Sequence, residues 1–202
     1  MKFFDATYPL SKKTVPWPGD TRFVRKENKG TAIVSKLIMS SHTGTHIDAP
    51  KHFVFNKGGV DAIALEKLVG PARVVQINSF PLITLADIKK IRPKKGGRLL
   101  FKTRNQKLVN KNRFYSDYVS LSLEAARYLA SLPINLVGID YFGIEAKSAP
   151  GHPVHKTLLK KDIVIIEGLN LENIKPGRYQ MAALPLKLKD SDGSPARVVL
   201  WK

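Results

Sequence analysis

Two periods of apolar spacing run through this 202-residue chain, and together they predict most of its elements. Alternating or continuous apolar runs rich in β-branched residues mark strands at 32–39, 72–77, 98–102, 135–140 and 162–167. Helical spacing covers 61–69, with Ile63, Leu65 and Leu68 on one side and Gly70-Pro71 as the expected stop. Thr84, with Asp87 three residues on, reads as the capped start of a short helix that Arg92-Pro93 closes. Ser122 caps a second helix at 123–131, with Glu124 in the first turn where the dipole favours an anion. A third occupies 152–161. Segments 179–189 and 196–201, joined by Asp190-Ser-Asp-Gly-Ser194, read as a terminal hairpin. Prolines fix Val15-Pro-Trp-Pro-Gly-Asp20 as a non-helical loop, and 103–118 reads as a long loop. Strands outnumber helices and no repeat or linker interrupts them. A single domain spanning 1–202 is expected, mixed α/β with a β-rich core, whose strand order the pattern leaves open.

Composition narrows the class. Hydrophobic residues make up 43% and charged residues 25%, ordinary values for a packed core. The absence of cysteine excludes a disulfide framework and agrees with a reducing compartment. The opening residues lack the apolar core of a signal sequence, and no run approaches the ~18 apolar residues of a membrane span. A cytoplasmic protein without a membrane partner is expected. The net charge of +18 is the outlying property. It could mark a nucleic-acid partner, but the basic residues are spread along the chain and no stretch interleaves them with stacking aromatics. A solvated basic surface, or a field that steers an anionic substrate, is the better reading. The densest stretch, 102–113, holds five basic residues with Asn105, Asn110 and Asn112. Within it, Arg104 offers a fork for a substrate carboxylate.

Candidate chemistry concentrates in His42-Thr-Gly-Thr-His46-Ile-Asp48-Ala-Pro50-Lys-His52. Neutral imidazole with carboxylate is a common ligand set for zinc, manganese and iron. In an extended chain, positions 42, 44, 46, 48, 50 and 52 share one face; a helix would turn Asp48 away and have to accommodate Gly44 and Pro50. A strand or extended loop is therefore expected, with Gly44 letting the backbone approach a metal. Donors without cysteine point to a catalytic site rather than structural zinc. The remaining histidines, His152 and His155, precede Glu167, which ends an apolar run; such a carboxylate is rarely buried unless paired or coordinated. Taken together, the two groups suggest two metals sharing a bridging ligand, with Asp48 the natural bridge.

The histidine motif, continued by Phe53, resembles the signature of the cyclase family of metal-dependent hydrolases, which includes the bacterial kynurenine formamidases. Trp17-Pro-Gly-Asp20, Val137-Gly-Ile-Asp140, His155 with Glu167-Gly-Leu169, Ala183-Leu-Pro-Leu186 and Asp192-Gly-Ser-Pro195 extend the resemblance in the same order over nearly the whole chain. It implies a swivelling β/β/α fold, usually a homodimer. It also implies that His42, His46 and Asp48 hold one metal, and that Asp48, His155 and Glu167 hold a second, zinc or alternatively manganese. His52 is then the proton donor and acceptor, and Trp17 lines the substrate pocket. The implied reaction is hydrolysis of an amide C–N bond by metal-activated water. After Asp140 this chain reads Tyr141-Phe-Gly-Ile-Glu145 where formamidases tend to read Thr-Pro-Ser, so the substrate stands between an aryl formamide such as N-formylkynurenine and a cyclic amide such as isatin, or a lactone. A non-catalytic metal- or nucleic-acid-binding protein is the alternative from another class, motivated by the charge alone.

Overall fold

The computed structural model describes residues 1–109, 111 and 113–202, in which the chain closes a barrel. Its strands are β1 (Phe3–Asp5), β2 (Val24–Lys29), β3 (Ile33–Ile38), β4 (His46–Asp48), β5 (Val69–Gln76), β6 (Leu82–Ile83), β7 (Arg98–Lys102), β8 (Ser120–Leu121), β9 (Leu136–Ile139), β10 (Val164–Glu167), β11 (Gly177–Pro185) and β12 (Gly193–Trp201). The helices are α1 (Leu65–Leu68), α2 (Leu85–Ile91), α3 (Gln106–Val109), α4 (Leu123–Ala130) and α5 (Pro153–Leu159). Paired neighbours run β12-β11-β5-β7-β9-β10-β4, and β4 pairs with β12 again, so these strands form a ring with β1 outside it. β5, β7, β9 and β10 are parallel, whereas β4, β11 and β12 run antiparallel to their neighbours.

The pleat divides the core in two, because successive side chains leave a strand on opposite faces. Leu100, Leu136, Val164 and Ile166 join Ile47, Met181 and Val198 inside the barrel. Leu99, Phe101, Val137, Ile139 and Ile165 point outward and pack beneath Ile88 of α2, Leu129 of α4 and Leu158 of α5. A third cluster gathers Val15, Tyr118, Tyr141 and Phe142 with Trp17 and Phe114 packed against it.

The β-rich mixed α/β architecture is the one expected, and both capping signals hold: Thr84 and Asp87 form a reciprocal capping box, and the Ser122 side chain accepts from the Ala125 amide. The helix expected over 61–69 does not form as a unit. Ile63 and Ala64 are extended, which leaves one 3-10 turn and the single turn of α1, and the chain turns into β5 at Val69. Pro71 sits within that strand, where β7 joins only from Arg73 onward, so one side of the backbone there has no strand to bond. The pattern also left out β2, which is polar on both faces and pairs with β3 as a separate ribbon.

The stretch after β7, expected as a long loop, includes α3, while Arg104, Lys107, Lys111 and Arg113 are exposed as a solvated basic surface requires. Asn105 exchanges side-chain bonds with the Val119 backbone at 2.9 and 2.7 Å, and Gln106 donates to the Leu169 carbonyl at 3.1 Å. Asn110 and Asn112 lie outside the described residues. Its basic side chains lean on rings that are distant in sequence or flank them: Arg104 lies 4.1 Å from the Phe80 centroid and Arg113 lies 4.5 Å from that of Tyr115.

Candidate metal centre

Strand β4 carries the ligand-type residues into the barrel wall. Ile47 fills the interior, so His46 and Asp48 project from the opposite face. Register sets Glu167 opposite His46 on one side and Gly193 opposite Asp48 on the other. α5 brings His155 in on its buried face. The result is a buried cluster around two carboxylates. His46 Nε2 lies 3.4 Å from Asp48 Oδ1 and 3.5 Å from Glu167 Oε2. His155 Nε2 lies 3.2 Å from Glu167 Oε1 and 3.8 Å from Asp48 Oδ2, and His42 Nδ1 lies 2.9 Å from Asp48 Oδ1.

Each of these imidazoles is held from behind by its other nitrogen. His46 Nδ1 faces the Gly44 carbonyl at 2.9 Å, His42 Nε2 faces Asp192 Oδ2 at 3.0 Å, and His155 Nδ1 faces Glu145 Oε2 at 2.7 Å. A carbonyl or carboxylate only accepts, so the rear nitrogen keeps a proton, and the nitrogen facing Asp48 and Glu167 is the one that would give its proton up to a metal. Asp48 Oδ2 is buried and has no hydrogen-bond partner, an arrangement that leaves an anionic oxygen unsatisfied unless a cation takes it. Donor atoms of His46, Asp48 and Glu167 lie within 4.8 Å of one another, as do those of His42, Asp48 and His52 and those of Glu145, His152 and His155; with the orphaned oxygen of Asp48 this imidazole and carboxylate set fits a divalent metal.

The local route differs from one extended face. Only His46 and Asp48 are on a strand; residues 41–45 bend, and Pro50–His52 form a 3-10 turn. These bends fold His52 back until its ring centroid is 4.0 Å from that of His42. Gly44 serves the bend rather than an ion. Its φ is +69°, and an added Cβ would meet Leu10 Cδ2 at 2.6 Å. Space for the His42 ring comes instead from Gly193, where a Cβ would lie 2.7 Å from His42 Cε1.

Burial disfavours the charged imidazole in each case, but the carboxylates outweigh it. Asp192 and Asp48 hold His42 at about 9, Asp48 and Glu167 hold His46 at about 10, and Glu145 and Glu167 hold His155 at about 10. His52 moves the other way. Burial lowers it, and the fields of His42 and His155 help outweigh the attraction of Asp48 and Glu167.

Next to the cluster is a cavity of about 210 Å³, lined by Trp17, His42, His46, His52, Phe53, Phe142, Lys147, His152, His155 and Glu167 among others. The Trp17 indole stands edge-on to Phe114, with centroids 5.0 Å apart. It lies against Gly143, where a Cβ would come within 2.7 Å of it. His42, His46, Asp48, His52, His155, Glu167 and Trp17 are thus all brought to one place.

A family model described as putative cyclase matches residues 4–146. The chain belongs to this cyclase family. The kynurenine formamidase of Bacillus thuringiensis subsp. konkukian is 34% identical over 205 residues, covering 98% of this chain and 97% of that protein. A solved structure described as a potential metal-dependent hydrolase with cyclase activity is 39% identical with a TM-score of 0.87, covering 98% and 96% of the two chains. The fold alone is shared with isatin hydrolase A from Ralstonia solanacearum, at 23% identity and a TM-score of 0.83 over 98% and 91% of the chains.

Within this family member, two carboxylates escaped the reading of sequence. Asp192 sits in what looks like an ordinary polar turn, and Glu145 follows the unusual Tyr141-Phe-Gly-Ile stretch. The signal for Glu145 was available: it stands in an apolar segment, and it is 2% exposed. Arg104 does not line the cavity; its guanidinium lies over Phe80 and 3.9 Å from Asp117. His152 starts α5 in a left-handed conformation and reaches the rim of the cavity, its ring 4.8 Å from that of Phe53.

Proposed function

We propose that the protein is a metal-dependent amide hydrolase that cleaves the C–N bond of a small aryl formamide such as N-formylkynurenine, or of a related cyclic amide. The observation that carries this reading is the ring of rear-held imidazoles around Asp48 and Glu167, opening onto an aromatic cavity. His42, His46 and Asp48 would hold one divalent cation, and Asp48, His155 and Glu167 a second, zinc in preference to manganese, with Asp48 shared. When bound, such ions polarise a carbonyl and lower the pKa of water from 15.7 toward ~7. The rest is done by the chain. Trp17, Phe53 and Phe142 line the cavity and offer their rings to a planar substrate. His52 lies at the cavity edge beside His42, with its basicity lowered, and serves as the neutral imidazole that takes up a proton and returns it to the leaving nitrogen.

The names of the relatives, kynurenine formamidase and metal-dependent hydrolase, support the reaction class. A second copy of the chain belongs in this proposal. The β2–β3 ribbon leaves Ile33, Val34 and Leu37 more than half exposed, and an isolated two-stranded ribbon is marginal in water. No helix is long and apolar enough to cross a membrane among the described residues. The deciding experiment is turnover of N-formylkynurenine, isatin and a set of lactones after loading with zinc or manganese. A folded, metal-loaded protein inert to all of them overturns the reading.

A further inference from the structure

The parallel strands have a second concentration of charge at their other ends. Glu167 ends β10 on the catalytic side, whereas Arg98 opens β7, with Arg73 of β5 paired to its neighbour Leu99. A cavity of about 250 Å³ there is lined by Arg73, Arg92, Lys94, Arg98 and Arg178, with Ile91, Pro93 and Leu99 as its apolar part. No acidic side chain lines it. The groove continues outward past Lys89 and Lys90, again without an acid. Asp87, on the same helix as these lysines, is engaged by Ser79 and Thr84 at 2.7–2.9 Å.

The arrangement is unfavourable as it stands. Arg73 and Arg178 are directly opposed in the β5–β11 register. Opposed side chains on an antiparallel ladder have Cβ atoms roughly 4.5–5.5 Å apart, where like charges destabilise. Arg73 is nevertheless held in place, donating from Nη1 to the Ile91 carbonyl at 2.8 Å. Arg98 is buried, and its guanidinium is met by the carbonyls of Glu66, Lys67, Pro71 and Gly96 rather than by a carboxylate. Among the described residues, none of the five cations forms an ion pair; those of lysine and arginine lie elsewhere. In a chain of net charge +18, unpaired cations on an open surface need no explanation. Arg73, Arg92, Lys94 and Arg178 are exposed too, but they converge with the buried Arg98 on one groove with an apolar wall, and that convergence does.

We propose that this groove is a second binding site, for a phosphate monoester of small-molecule size. Its phosphate is gripped by Arg73, Arg178 and Arg92, and its apolar part lies on Ile91, Pro93 and Leu99. The planar forks of arginine match phosphate oxygens two at a time, and an anion between Arg73 and Arg178 turns their repulsion into shared attraction. The cavity is close to the ~300 Å³ lower bound of small-molecule sites, which suits a mononucleotide-sized ligand rather than a polymer. The site is separate from the hydrolytic centre, so the proposal stands independently of the reaction assigned there.

Calorimetric titration of the metal-loaded protein with AMP, inorganic phosphate and adenosine tests it. AMP is expected to bind at one site per chain, more tightly than phosphate, with adenosine weaker than either. The pair Arg73→Ala/Arg178→Ala should weaken AMP roughly tenfold or more, since two charged donors to the phosphate are lost. Arg25→Ala/Lys26→Ala, which removes the same charge from the β2–β3 ribbon, should leave binding unchanged. The Arg73→Ala/Arg178→Ala protein without AMP should melt close to the parent, because relief of the repulsive pair offsets the lost Arg73 bond to the Ile91 carbonyl. Should it fold poorly, Arg92→Ala replaces it with the same expectation for AMP. Absence of saturable AMP binding, equal losses in the groove and ribbon variants, or AMP binding untouched by the groove substitutions would each overturn the proposal.

Discussion

His42 and His155 stand at opposite ends of one cluster and are held in the same way by different surroundings. Behind His155, Glu145 is buried and fully committed: Oε2 accepts from the imidazole and Oε1 from the Val154 amide at 2.6 Å. Behind His42, Asp192 is half exposed, and its second oxygen accepts from the Ser41 hydroxyl, which can rotate. Both orient an imidazole toward Asp48. The deep pair does so in a place where water cannot substitute for a lost partner, whereas the outer pair has solvent at hand. Identical chemistry at the two ends should therefore fail unequally.

Removing what the two ends share has the largest expected effect. Asp48→Asn deprives both histidines of their common anion, although His42 keeps Asp192 and His155 keeps Glu145 and Glu167. In the metal-free protein, a loss of stability below the about 3–5 kcal/mol of a fully broken buried charge pair is expected. Metal analysis should find both positions depleted and turnover at background; a variant that retained two ions per chain would show that Asp48 is not shared. His52→Ala separates proton transfer from either end. It should keep its metal and lose roughly 10²–10⁴ in kcat, whereas metal loss would make His52 a ligand.

Between the ends, Glu145→Gln is the harsher change. A buried amide presents a donor to one of two donors, Val154 N or His155 Nδ1, so metal affinity should fall about 10–100-fold, the usual effect of losing a partner behind a ligand. Asp192→Asn keeps an acceptor for His42 and offers its NH₂ to a serine hydroxyl. Its loss should stay under about tenfold and shrink further in high salt. Competition against a chelator measures both, and equal losses would dissolve the distinction between the ends.

The smallest effect is a pH slope. Folded-state values near 9 for His42 and near 10 for His46 and His155 lie above the ordinary imidazole value. In the metal-free protein their stabilising contribution is complete below about pH 6.5 and fades as pH climbs through 9 to 10. A cation must displace those protons, so metal uptake should release protons at neutral pH and tighten as pH rises. Calorimetry in two buffers of different ionisation enthalpy reads the release directly, and none would mean the imidazoles are already neutral.

Local chemistry in this chain was legible wherever a signal and its partner lie close in sequence. The capping box at Thr84 and Asp87, the apolar run ending in Glu167 and the crowding of His42, His46, Asp48 and His52 could each be read in place. What was missed depends on partners far along the chain. Asp192 matters only because β12 pairs with β4, 150 residues from His42, and a polar turn announces nothing of that. Gly44 was misread for a related reason: its neighbour is Leu10, not a ligand. The helical spacing at 61–69 served a different purpose, since Leu68 fills the barrel interior from a single turn.

Strand β4 is only three residues long, yet among the described residues it is the sole link between β10 and β12 around the ring. Its ladder bonds hold both sides of the seam, and Asp48 reaches α5 through His155. A cation seated there would act as a clasp across the shortest stave of the barrel. Its removal should let that seam breathe while the long β5–β11–β12 arc stays shut, so the catalytic residues would be the first to lose their order and the last to gain it.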